Sequence, residues 1–126
     1  MKKEQIKTAA VAPPGLYSHA LKVGNLLFLA GQVGQDARGN LVGEGDMAAQ
    51  TRQSLKNITA LLAAAGATWD NVVKLNNFVT DMSQLGAVTQ VRKEFIKEPY
   101  PVSTIVEVKS LAKPEFLIEI EAIAVL

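Results

Sequence analysis

Glu119 and Glu121 stand two residues apart in a run of alternating positions from Leu117 to Val125. On a strand that spacing places both carboxylates on one face and Ile118, Ile120, Ala122 and Ala124 on the other. A carboxylate in a partly apolar setting has a raised pKa and can exchange protons near neutral pH. Leu117, Ile123 and Val125 share the glutamate face and argue for such a setting. Glu107, on the preceding apolar run, is a candidate third carboxylate. The competing reading is an ordinary solvated sheet face. Tyr17 follows Pro13-Pro14-Gly15, a rigid stretch ended by a flexible residue, which would set its ring at the mouth of a pocket. Its competing reading is a packed ring with the hydroxyl in water. His19, the only histidine, faces the same way as Tyr17 on an alternating strand. Its ordinary pKa suits acid–base work, though a lone histidine is more often structural.

Other residues narrow the chemistry. Gly31 ends a strand pattern, where a missing side chain lets a ligand or a neighbouring strand approach closely. Asn76 and Asn77 fall inside a strand pattern where amides are disfavoured. One of them must face the core or an interface and be hydrogen-bonded there. With no cysteine and one histidine, a metal site would need carboxylates, and no spacing suggests one. The glycine-rich stretch from Gly31 to Gly45 lacks the Gly-Lys-Ser/Thr ending of a phosphate loop. Ser18 and His19 are neighbours on opposite strand faces and cannot form a nucleophile–base pair.

The elements that position these residues follow from periodicity. Residues 1 to 12 show no clear period. A strand is expected over 18–23, a two-residue turn at Gly24-Asn25, and a returning strand at 26–30 that is apolar on both faces and so is expected to be central and covered on both sides. Asp46 is a plausible cap for a helix whose apolar face is Thr51, Leu55, Ile58, Leu62 and Ala65, closed by Gly66. Val72 to Val79 reads as a strand. Asp81 or Ser83 opens a second helix with Leu85, Val88, Val91 or Arg92, and Phe95 as its buried positions, and Pro99 and Pro101 end it. Strands at 103–108 and 117–125 close the chain. This order predicts an α+β two-layer sandwich: a mixed sheet of five or six strands with both helices on one face. The other sheet face stays apolar and uncovered, which implies an oligomer.

With 126 residues the chain is a single domain, 1–126, and with 48% hydrophobic residues it can bury a real core. The net charge of +1, without a basic stripe, gives no reason to expect nucleic acid or an acidic membrane as partner. The absence of cysteine excludes disulfides and thiol nucleophiles and fits a reducing compartment. No apolar run approaches membrane-spanning length, and no apolar run follows Lys2-Lys3 as a signal peptide requires. A cytoplasmic location is expected.

Several stretches together resemble the YjgF/RidA family of enamine/imine deaminases. They are Gly15-Leu16-Tyr17-Ser18-His19-Ala20, Ala30-Gly31-Gln32-Val33, Gln50 to Ile58, Ala64-Ala65-Gly66, Val73-Lys74 through Asp81, Pro99 to Val108 and Leu117 to Leu126. The resemblance implies a chorismate-mutase-like fold and a homotrimer whose sheets form a central barrel. It also implies small-molecule sites in the clefts between subunits and no cofactor. By position, Glu119 matches the glutamate that assists hydrolysis with a water, Tyr17 the tyrosine lining the pocket, and Gly31 the glycine whose backbone lines the site. Thr89 stands where asparagine is frequent, and the stretch between Phe95 and Pro101 is shorter than in deaminating members. Those members carry an arginine that binds the substrate carboxylate; here Ser103 stands in its place.

Serine offers one neutral hydroxyl where arginine offers a bidentate, charged clamp. Arg52 and Arg92 are expected on helix surfaces and make poor substitutes. The sequence therefore predicts a hydrolase of an enamine, imine or related C–N bond, with weak or no activity on 2-aminoacrylate-type imines. Its pocket would take a neutral or smaller ligand at Ser103 and Thr104. The alternatives are a non-catalytic, metabolite-binding trimer and, against the lack of a basic surface, a ribonuclease.

Overall fold

The computed structural model describes all of residues 1–126. Its strands are β1 (Lys3–Ile6), β2 (Ala20–Val23), β3 (Leu26–Gln32), β4 (Val72–Val79), β5 (Val102–Glu107) and β6 (Ile118–Val125), and its helices are α1 (Met47–Ala64) and α2 (Leu85–Arg92). They form one six-stranded sheet in the order β1-β2-β3-β6-β4-β5. Only the β4–β5 pair at one edge is parallel. That follows from connectivity, because α2 is the crossover that returns the chain to run alongside β4. β1 is an addition: residues 3–6 pair antiparallel with β2 as an edge strand. Their sequence has no period because all but Ile6 are exposed, so no buried face imposes one.

Both helices pack on one face of the sheet, as the periodicity predicts. Asp46 caps α1, accepting from the Ala49 amide at 3.0 Å, and Gly66 takes φ 76° just past its end, a conformation that favours glycine. The core lies between α1, α2 and the inward residues of the sheet: Leu27, Leu29, Leu75, Val79, Ile118, Ile120 and Ala122 among them. Two expectations for the second helix need correction. Asp81 caps a short 3-10 turn, Met82–Gln84, rather than α2 itself, and the α2 N-terminus has no side-chain cap. Leu85 is 41% exposed, because α2 starts at that residue and only Val88 and Val91 turn fully inward.

The opposite sheet face is uncovered. Phe28, Val102 and Val106 stand on it with 41%, 67% and 42% of their surface exposed, beside Ile123 and Val125 of β6. The expectation that β3 is covered on both sides fails within one chain: Leu27 and Leu29 are buried, while Leu26 and Phe28 are exposed. No helix is long and apolar enough to cross a membrane.

Candidate active site

β6 lies between β3 and β4, so its register fixes where the glutamates stand. Glu119 is paired with Phe78 and Glu121 with Asn76, on the uncovered face. The β3–β6 register slips between Leu29 and Gln32. Gly31 lies within that slip, and the Glu119 side chain folds over it. A β-carbon at position 31 would sit 2.7 Å from Cδ of Glu119 and closer still to Oε1. Glycine leaves the carboxylate room to rest on the β3 backbone, and a methyl there would displace the end of the Glu119 side chain. Burial first, and the nearby Glu121 second, push the Glu119 carboxyl above the ordinary glutamate range. Glu121 is held by Asn76, whose Nδ2 donates to Oε2 at 3.3 Å. Glu107 does not join them. It is level with Val79 on the helix-side face, and its carboxylate accepts from the Met82 amide at 2.9 Å.

α1 holds this corner in place. Its buried polar face donates across the interface: Ser54 Oγ to the Gln32 carbonyl at 2.7 Å, and Asn57 Nδ2 to the Gln35 carbonyl at 2.9 Å. Gln50 bridges to the chain entering β6, donating to the Glu115 carbonyl at 2.9 Å and accepting from the Leu117 amide at 2.8 Å. These residues fix the two strand ends that carry Gly31 and Glu119. Buried side chains of this kind must be satisfied, and here the groups that satisfy them are backbone atoms flanking the site.

Tyr17 and His19 contact edge to face, with ring centroids 5.5 Å apart. With Gly31, Gln32, Gln35 and Asn57 they line a recess of about 50 Å³. The histidine is tied down: Nε2 meets the Ala12 carbonyl at 2.6 Å and Nδ1 meets Gln32 Nε2 at 3.1 Å. Both ring nitrogens are thus engaged, by the Ala12 carbonyl and by the Gln32 amide, and the ring serves as a strut between the N-terminal segment and β3. A larger hollow of about 520 Å³ runs under the N-terminal segment and shares Tyr17 and His19. Neither Glu119 nor Ser103 lines it, so volume alone does not locate the chemistry. No group of three or more side chains is disposed to hold a metal.

The remaining candidates gather elsewhere, at the α2–β5 edge. Ser103 is level with Leu75 of β4, which faces the helices. Thr104 takes the other face, so the two do not make one polar patch; strand alternation separates them. Asn77, 1% exposed, donates to Ser103 Oγ at 3.0 Å and to the Thr104 carbonyl at 2.8 Å. Thr89 lines a recess of about 300 Å³ with Arg92, Lys93, Ile96 and Tyr100.

Arg92 corrects the expectation of a free surface side chain. Its guanidinium turns from the last turn of α2 toward β5 and donates to Ser103 Oγ at 3.1 Å. Its Nε is shielded and has no acceptor, and burial lowers its pKa. Arg52, by contrast, lies at the surface as expected and makes a two-pronged pair with Glu94 at 2.9 and 2.6 Å. The predicted loss of a carboxylate clamp treated Arg92 as a poor substitute on the helix surface, whereas its guanidinium meets Ser103. The sequence held the signal in its ambiguity, because position 92 neighbours Val91 on the inward side of α2.

The comparisons with known proteins agree with this architecture. The family model for endoribonuclease L-PSP matches residues 7–126. A RutC family protein of Pyrococcus horikoshii is 44% identical over 123 residues, covering 97% of each chain. A 2-iminobutanoate/2-iminopropanoate deaminase of Dermatophagoides farinae is 37% identical over 117 residues, with 93% of this chain and 91% of that protein covered. The crystal structure of E. coli TdcF with bound serine superposes with a TM-score of 0.89 at 32% identity, covering 98% of this chain and 99% of that one.

Proposed function

The chain belongs to the YjgF/RidA family, and on that premise we propose that it hydrolyses the C–N bond of a small imine, Glu119 activating the water. The observation that carries this reading is the Glu119 carboxylate, packed on Gly31 and pushed toward neutrality by burial and by Glu121. A base with a pKa nearer the working pH accepts a proton more effectively than an ordinary exposed glutamate. Glu119 takes a proton from water as the oxygen adds to the imine carbon, and the C=N electron pair moves to nitrogen. The carboxylic acid then returns the proton to that nitrogen. Glu119 next takes the hydroxyl proton and delivers it to the amine nitrogen, so that the C–N bond breaks as C=O forms and ammonia leaves. An enamine reaches the same path by tautomerising to the imine. Tyr17 lines the approach from the strand end. The relatives named as iminobutanoate/iminopropanoate deaminases support this reaction class.

The two clusters do not meet within one chain. Ser103 is level with Ala122 through Leu75, roughly 10 Å along the strand from Glu119 and roughly 10 Å across two strand spacings. Their side chains also leave opposite sheet faces. A small imine does not span that gap. A second copy laying its α2–β5 edge beside the Glu119 face completes the site and covers the apolar surface around Phe28 and Val106. A closed homotrimer with inter-subunit clefts does both.

Ammonia release from imines generated in situ by an oxidase tests the chemistry. Glu119→Gln is expected to lower kcat by about a hundredfold or more, and undiminished release would remove Glu119 from the mechanism. Sedimentation giving a monomer would overturn the inter-subunit site.

A further inference from the structure

We infer that Arg92 is an anion-recognising residue, whose guanidinium, docked on Ser103, binds the carboxylate of a small ligand in the recess between α2 and Tyr100. Arg92 has one hydrogen-bond partner in the chain, the neutral hydroxyl of Ser103. The one ion pair in the chain belongs to Arg52 and Glu94, so no carboxylate neutralises Arg92. A guanidinium presents several N–H donors in a planar fork suited to a carboxylate, and most of these are unused. Ser103 is prepared for the same task. Its oxygen accepts from both Asn77 and Arg92, which occupies its lone pairs and leaves its O–H free to donate.

The recess fits a small anion. Its volume of about 300 Å³ is bounded by Thr89, Arg92, Lys93, Ile96 and Tyr100, two cations and no acid. Lys93 adds positive charge, and Thr89 adds a hydroxyl one helical turn from Arg92. A compact monocarboxylate matches the single fork of Arg92. Assigning that carboxylate to the imine substrate rests on the hydrolase reading above; the anion site itself does not. The consequence reverses the substrate preference suggested by Ser103 alone. The helix supplies the positive charge, and the strand supplies the hydroxyl that holds it.

The test uses two readouts. In calorimetric titration with pyruvate, Arg92→Ala should weaken binding at least about tenfold, because a desolvated charged partner is removed. Arg92→Lys should restore part of it, and its melting temperature serves as the folding control. In turnover, the ratio of kcat/KM for the imine from alanine to that for an imine without a carboxylate should fall about thirtyfold in Arg92→Ala. Pyruvate affinity unchanged in Arg92→Ala, or binding of inorganic phosphate without pyruvate, would overturn the assignment. If the wild type hydrolyses neither imine yet binds pyruvate through Arg92, the anion site stands and the hydrolase reading falls. If both imines turn over with the same ratio in wild type and Arg92→Ala, the hydrolase stands and the role of Arg92 falls.

Discussion

The Glu119 corner and the Arg92 edge each hold a charge partly out of water, and they do so by different means. Glu119 stands on a central strand, paired on both sides, with its carboxylate on a glycine and a second acid close by. Its environment disfavours the charge, so its carboxyl keeps a proton to higher pH than an ordinary exposed glutamate. Arg92 stands at the end of a short helix over an edge strand, held by one hydroxyl. Its environment also disfavours charge, yet a guanidinium stays protonated at any working pH. On the proposed reading, the same physical condition makes Glu119 a proton carrier and leaves Arg92 an unneutralised cation. The difference lies in the chemical group, and under that proposal it separates turnover from recognition.

The comparison breaks most severely at Gly31. Gly31→Ala drives a methyl into the Glu119 carboxylate, and kcat should fall by more than about tenfold from misplacement alone. Overpacking of this kind costs about 1–3 kcal/mol, so thermal melting should show a folded protein with a modestly lower transition. Full activity would mean that the carboxylate need not rest where it does.

A pH profile sharpens the same side. The base must be deprotonated to work, so activity rises with pH through the carboxyl's pKa. Burial and Glu121 raise that pKa, which places the acid limb of kcat/KM above the ordinary glutamate range. Glu121→Gln removes the second cause and keeps the first, and the limb should move to lower pH without disappearing. An unmoved limb would show that the two carboxylates do not interact.

Ser103→Ala probes the other side more gently. It removes the acceptor shared by Asn77 and Arg92, and loss of a hydrogen bond to a charged donor costs about 1.5–3 kcal/mol where water cannot substitute. The edge strand is exposed, so the lower part of that range applies, and KM for a carboxylated imine should rise while kcat changes little. The smallest effect is expected at Arg52→Ala. That pair with Glu94 is solvent-exposed, and such pairs add little. Melting temperature and both kinetic constants should stay at wild-type values; a changed KM would show that Arg52, rather than Arg92, serves the ligand.

Much of this was legible in the residues. Alternation in Leu117 to Val125 put Glu119 on the face away from the core, and the apolar residues beside it announced an uncovered sheet. The amphipathic spacing of α1 and the glycine at 66 set that helix within a residue or two. Strand β1 was invisible because an exposed edge strand buries nothing that would impose a pattern. Glu107 and Leu85 were misjudged because a periodicity says which residues share a face, while the ends of α2 and the neighbours of β5 depend on the crossover.

By itself the sequence determined the fold class and the face on which Glu119 stands, because these follow from local periodicity; its resemblance to the family named Gly31 beside Glu119 as a candidate, and its apolar strand faces raised the expectation of a second copy. Only the tertiary structure decided the fate of Arg92. Position 92 is on the boundary between the inward and outward faces of α2, and periodicity permits either. Parallel pairing of β5 with β4 places Ser103 under the end of that helix, Asn77 fixes the hydroxyl, and the guanidinium turns inward to meet it. That orientation is set by contacts between residues distant in sequence, and no local pattern contains it.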